Sequence, residues 1–100
     1  MKIIYILLIS LSLFAQNNKG QEVFETYCWG CHHQTSMAFG PPFNEIASKR
    51  NKEEIIGYIS SPKSLYKTFG YKRTVMSQLS LTSKELNLIS NYILSFKGKE

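Results

Sequence analysis

Gly20-Gln21-Glu22-Val23-Phe24-Glu25-Thr26-Tyr27-Cys28-Trp29-Gly30-Cys31-His32 is the stretch that decides the fold. Val23, Phe24 and Tyr27 fall on one face at helical spacing, so a helix is predicted from about Lys19 to Tyr27. Asn18 is its expected cap, with Gln21 three residues on as the reciprocal partner. The helix delivers the chain straight into two cysteines three apart, with a histidine directly after the second.

That spacing has a chemical reading. Two thiols three apart at a helix end can reach the two vinyl groups on one edge of a porphyrin and form thioethers. The next residue, His32, is then placed under the iron, and a neutral imidazole nitrogen is a good iron ligand. Cys28, Cys31 and His32 together form the c-type haem attachment pattern. Three other uses of Cys-x-x-Cys fit the sequence less well. A thioredoxin-like dithiol needs a strand before the motif, and no strand pattern precedes Cys28. A zinc site needs four ligands, whereas only His33 lies nearby. A plain disulfide explains neither the histidine nor the aromatic helix in front. His33 is expected to be exposed and without a chemical role.

Working toward the C-terminus, Gln34 to Pro42 reads as a loop ending in Gly40-Pro41-Pro42. A short apolar turn is expected at Phe43, Ile46 and Ala47. A helix starts near Asn51, whose capping-box partner is Glu54, and buries Ile55, Ile56 and Ile59. It must stop by Ser61, because Pro62 disfavours a helical residue before it. Ser61-Pro62 can itself cap a short new turn, with proline in the tolerated first position. Lys63 to Ser80 reads as loop and contains Met76. Thr82 and Glu85 form a second capping box, flanked by Leu81 and Leu86 as a staple, and Leu86, Ile89, Tyr92, Ile93 and Phe96 give the last helix a wide apolar face ending near Gly98.

A soft thioether sulfur favours reduced iron and suits the sixth position. Met37 lies five residues after His32 and would have to cross the macrocycle within that span. Met76 sits in the long loop before the last helix and has the reach, so it is the expected ligand; Met37 or an open position is the alternative.

Toward the N-terminus, Met1-Lys2, an apolar run from Ile3 to Phe14 and small Ala15 read as an export signal over residues 1–15. The run is short for a membrane span, although a retained anchor is the alternative. Residues 16–100 then form one domain outside the cytoplasm, expected to be periplasmic. One hundred residues make a small domain that usually needs a staple, and a covalent cofactor supplies it. The net charge of +5, with no aspartate in the chain, favours acidic partners, and no nucleic-acid motif appears.

With these features in order, the chain resembles the small bacterial class I c-type cytochromes over nearly all of Gly20 to Lys97. The matching residues are Gly20, Phe24, Tyr27, Cys28, Cys31 and His32. Gly40-Pro41-Pro42-Phe43, Ser61-Pro62, Met76, Leu81-Thr82, Glu85 and Asn91-Tyr92-Ile93 follow in the family's sequence. The resemblance implies an all-α fold, a small cytochrome c fold of four or so short helices around one covalently attached haem c with its iron. It implies that the first and last helices cross where Gly20 and Phe24 meet Tyr92. It also implies that a carbonyl at Pro41 or Pro42 accepts a hydrogen bond from His32, so Pro42 is expected among the cofactor-binding residues. The chain departs from the family in having Ser77 after Met76, no tryptophan in the helix before Pro62, and three aromatics, Tyr66, Phe69 and Tyr71, in the ligand loop.

The function implied is a carrier of single electrons, not an enzyme, working between redox partners in a respiratory-type chain. Lys63, Lys67, Lys72 and Arg73 could steer docking onto an acidic partner. A haem-relay subunit of a larger membrane redox complex is the alternative, and a membrane tether through the N-terminus goes with a retained signal. An open-site haem enzyme or gas sensor is a more distant one.

Overall fold

Five helices make up the regular structure among the described residues, 18–100, of a computed structural model. The proposed signal, 1–15, lies outside them. Helix α1 spans 18–27, α2 Phe43–Lys49, α3 Lys52–Ser60, α4 Pro62–Leu65 and α5 Ser83–Leu94. No strand occurs among the described residues, and none of these helices is long and apolar enough to cross a membrane.

Local chemistry sets most of the boundaries. Both capping boxes form: Asn51 accepts from the Glu54 N–H while Glu54 accepts from the Asn51 N–H, and Thr82 and Glu85 repeat the exchange. Such a cap satisfies two of the donors that a helix N-terminus leaves open. Pro62 ends α3 and occupies the first turn of α4, where its missing N–H costs nothing. Two expected caps are not used. Asn18 already lies within α1, and Gln21 instead donates to Glu25. The Ser61 side chain makes no cap hydrogen bond. Helix α5 stops at Leu94, earlier than its apolar face suggested. Ser95 to Lys99 continue as tight turns that pass through Gly98 at φ +77°, a conformation glycine adopts without strain.

Packing brings α2 and α3 against α5. Phe24, Phe43 and Ile89 are essentially fully buried, with Val23, Ala47, Ile55, Ile59, Tyr92 and Ile93 around them. Each such aromatic or aliphatic side chain contributes about 1.5–3 kcal/mol on leaving water. Helices α1 and α5 cross at Gly20, where a Cβ would stand 2.8 Å from Tyr92 Cβ and 2.9 Å from the Leu88 carbonyl. Only glycine allows that approach. It lets Phe24 tilt against Tyr92 with ring centres 5.7 Å apart, and meet Phe43 edge-on at 5.2 Å. The expected crossing of the terminal helices is therefore present, and it aims the end of α1 at one side of a cavity.

Candidate functional site

The residues after α1 wind one further turn. Cys28 N–H donates to Phe24 O at 2.9 Å, and His32 N–H donates to Cys28 O at 2.9 Å. The loop then returns onto this turn through Gly40 N–H to Cys31 O at 2.7 Å and Phe43 N–H to His33 O at 2.9 Å. His33 is half-buried rather than exposed, and its part is played by that backbone carbonyl.

This return fixes the His32 ring. Nδ1 lies 2.7 Å from the Pro41 carbonyl, which can only accept, so Nδ1 carries the proton and Nε2 keeps a free lone pair. The ring also stacks on Phe43, with centres 5.7 Å apart at 27°. Burial pushes the imidazole below its ordinary pKa, against the upward pull of the Pro41 hydrogen bond, and this favours the neutral ligand form. The acceptor is Pro41, which corrects the expectation for Pro42. The Pro42 carbonyl is occupied by the N–H groups of Glu45 and Ile46 in the first turn of α2, and so cannot face the ring.

Gly40 is the site residue whose reason the sequence did not disclose. A Cβ there would stand 2.7 Å from His32 Nδ1 and 2.8 Å from Nε2. The loop backbone thus lies flat against the imidazole, a position that only tertiary contact reveals.

Cys28, Cys31 and His32 open onto a cavity of about 600 Å³. Its remaining walls are largely apolar and include Phe43, Ile46, Ile55, Ile59, Leu79 and Ile93. Size and lining both suit a cofactor-sized group. Cys28 is buried and Cys31 exposed, and both thiols are free. Burial raises the Cys28 thiol to about 11, with the neighbouring Cys31 adding to the shift, so it rests as a protonated thiol.

Met76, half-buried, lies on the same cavity wall and packs against the core. Its N–H donates to Thr74 Oγ1 at 3.3 Å, and Tyr58 OH donates to the same oxygen at 3.3 Å, which ties the Met76 segment to α3. Met37 is 74% exposed and lines a separate, shallower groove beside Thr35 and Asn44. The structure therefore brings Cys28, Cys31, His32 and Met76 to one cavity and leaves Met37 outside it.

An all-helical shell around such a cavity, with a dithiol-histidine turn in its wall, defines a small c-type haem protein. The chain belongs to the cytochrome c family, whose model, described as Cytochrome c, matches residues 18–97. Among solved structures it is similar to cytochrome c from Rhodothermus marinus, with a TM-score of 0.71 and 20% identity, over 86% of this chain and 80% of that one. At that identity the likeness concerns the fold. No curated protein sequence matches the chain significantly.

Members of this family carry covalently bound haem c with its iron, and the residues present here fit that group. Both thiols are free, one imidazole nitrogen is unengaged, and Gly40 leaves the ring its room. The protein is accordingly a haem-based electron carrier.

Proposed function

We propose that this cytochrome c is an exported, monohaem carrier of single electrons in a respiratory-type chain, in which Cys28 and Cys31 would bond the haem and His32 and Met76 would hold its iron. The observation that carries this reading is the shared cavity: two free thiols, a neutral imidazole with one nitrogen open, and one methionine. When bound, haem supplies a one-electron iron couple. The protein's own part is to hold and insulate it. Cys28 and Cys31 would retain the group through thioether bonds. Pro41 orients His32 and, by accepting its proton in a hydrogen bond, strengthens the imidazole as a donor. Thr74 and Tyr58 brace the backbone beside Met76. The apolar walls keep the site at low dielectric, which limits reorganisation around the changing charge.

Export rests on residues 1–15, read as a signal, and places the carrier in the periplasm; residues 16–100 form the cytochrome domain. The partner is a redox protein with an acidic face. Lys63, Lys67, Lys72 and Arg73 are exposed, Arg73 lies on the cavity itself, and exposed Phe39 and Val75 stand at the same opening.

The test is an optical spectrum of protein expressed with a working haem-ligation system. A c-type haem spectrum, abolished in Cys28→Ser/Cys31→Ser, is expected. The oxidised protein should show the weak near-infrared sulfur-to-iron band and Met76→Leu should lose it. Carbon monoxide binding by the reduced wild type at neutral pH would instead mean an open sixth position.

A further inference from the structure

Tyr66, Phe69 and Tyr71 stand in a stretch that reads as loop, yet the chain keeps winding after α4. Tyr66 N–H donates to Pro62 O at 3.1 Å, and Phe69 N–H donates to Leu65 O at 3.0 Å. Gly70, at φ +89°, then closes the turn. Its N–H reaches Lys67 O at 3.0 Å, and the Tyr71 N–H reaches Tyr66 O at 2.9 Å. This pair of bonds is the Schellman ending of a helix, which a glycine in the left-handed region permits. Residues 66–71 are therefore a built turn with its own stop signal.

The turn sets two rings on the cavity wall. Phe69 packs on Tyr58 of α3 with ring centres 5.2 Å apart, and Tyr71 meets Tyr58 edge-on at 5.7 Å. All three rings line the cavity. Arg50 ties the turn to the end of α2: Nη2 donates to the Phe69 carbonyl at 2.7 Å, and the guanidinium carbon sits 4.3 Å from the Phe69 ring centre. Lys67 and Thr68, just before Phe69, are exposed, whereas Phe69 is half-buried. The turn thus keeps its polar residues in water and sends its phenyl ring to the cavity.

We infer that residues 66–71 are a fixed aromatic wall that keeps water out of the cavity beside α3, which makes Phe69 and Tyr71 residues that set the reduction potential. The inference rests on the cavity being the haem seat. Oxidised iron carries one more positive charge than reduced iron, and a dry wall disfavours the more charged state. Opening the wall admits water, stabilises the oxidised state and lowers the potential. The rings act by exclusion, so the Tyr71 hydroxyl is dispensable and the apolar bulk is not.

The test is the midpoint potential of the holoprotein at fixed pH, read together with the near-infrared band that reports on the sixth ligand. Phe69→Ala should shift the redox equilibrium toward oxidised iron by about threefold or more, roughly 30 mV for a one-electron couple, with the band unchanged from the wild type. Phe69→Leu and Tyr71→Phe keep the wall apolar and should stay near the wild-type potential, whereas Tyr71→Ser should move in the direction of Phe69→Ala. Thr68→Ala, at an exposed position of the same turn, should change nothing. A Phe69→Ala holoprotein with an unchanged band and the wild-type potential overturns the inference and leaves the haem site standing; a colourless wild type overturns the haem reading itself. If Phe69→Ala alters the band or does not mature, amide hydrogen exchange of the wild-type holoprotein decides. Phe69, Gly70 and Tyr71 N–H groups that exchange at least tenfold more slowly than those of exposed Lys72 and Arg73 support the fixed wall, and groups that exchange as freely refute it.

Discussion

Gly40→Ala is the most searching perturbation of the site. The added methyl would stand 2.7 Å from His32 Nδ1 and 2.8 Å from Nε2, well inside ordinary contact. Either the imidazole turns and breaks its 2.7 Å hydrogen bond to Pro41, or the loop lifts and breaks the 2.7 Å bond from Gly40 N–H to Cys31 O. A neutral hydrogen bond lost from a part-buried site costs about 1 kcal/mol, and overpacking a closed contact adds about 1–3 kcal/mol. A loss of about 2–4 kcal/mol follows, and each kcal/mol lowers the melting temperature of a domain this size by about 4–8 °C. The potential should also rise, because an imidazole without its hydrogen-bond acceptor is a weaker donor and stabilises oxidised iron less. Thermal melts followed by far-ultraviolet circular dichroism, with a redox titration, measure both. Gly30→Ala is the control, since a Cβ at Gly30 meets nothing within 4 Å. If Gly40→Ala melts and titrates like Gly30→Ala, the loop does not lie against the ring as described.

Further outcomes follow from the same structure. Thr82→Ala removes the α5 cap and should cost about 1 kcal/mol in urea unfolding, whereas Thr82→Ser should not. The Glu85 carboxyl is held below its ordinary value, chiefly by the hydrogen bond with the Thr82 backbone N–H and with help from Tyr27. Its contribution is therefore present above the unfolded pKa of about 4.5 and is lost as the pH falls through the lower folded value. Glu85→Gln should flatten the acid limb by lowering stability at neutral pH while leaving the acid end little changed, as melts from pH 3 to 7 would record. Phe43→Ala empties a position 1% exposed at the centre of the aromatic cluster and should cost about 3–5 kcal/mol, comparable to the whole stability of a small domain. Recovery of coloured, cooperatively melting Phe43→Ala would contradict that packing. Replacing Lys63, Lys67 and Lys72 by Glu should slow electron transfer to an acidic partner and weaken its salt dependence in stopped-flow traces.

The chain itself, read in order, determined the cofactor chemistry and most helix boundaries. These depend on neighbours a few residues apart: two thiols and an imidazole in five positions, two capping boxes, and a proline that cannot continue a helix. The crossing at Gly20 and the membership of Met76 in the site were also legible, through a known pattern in the first case and loop reach in the second. What only the tertiary structure decided are contacts between segments far apart or a loop apart. Pro41 rather than Pro42 faces His32, because the start of α2 consumes the second carbonyl. Gly40 is pressed against the ring, and Arg50 bridges to Phe69 nineteen residues away with one donor left over. Such pairings leave no periodic trace, since they are set by how the loops close over the core and not by any local propensity.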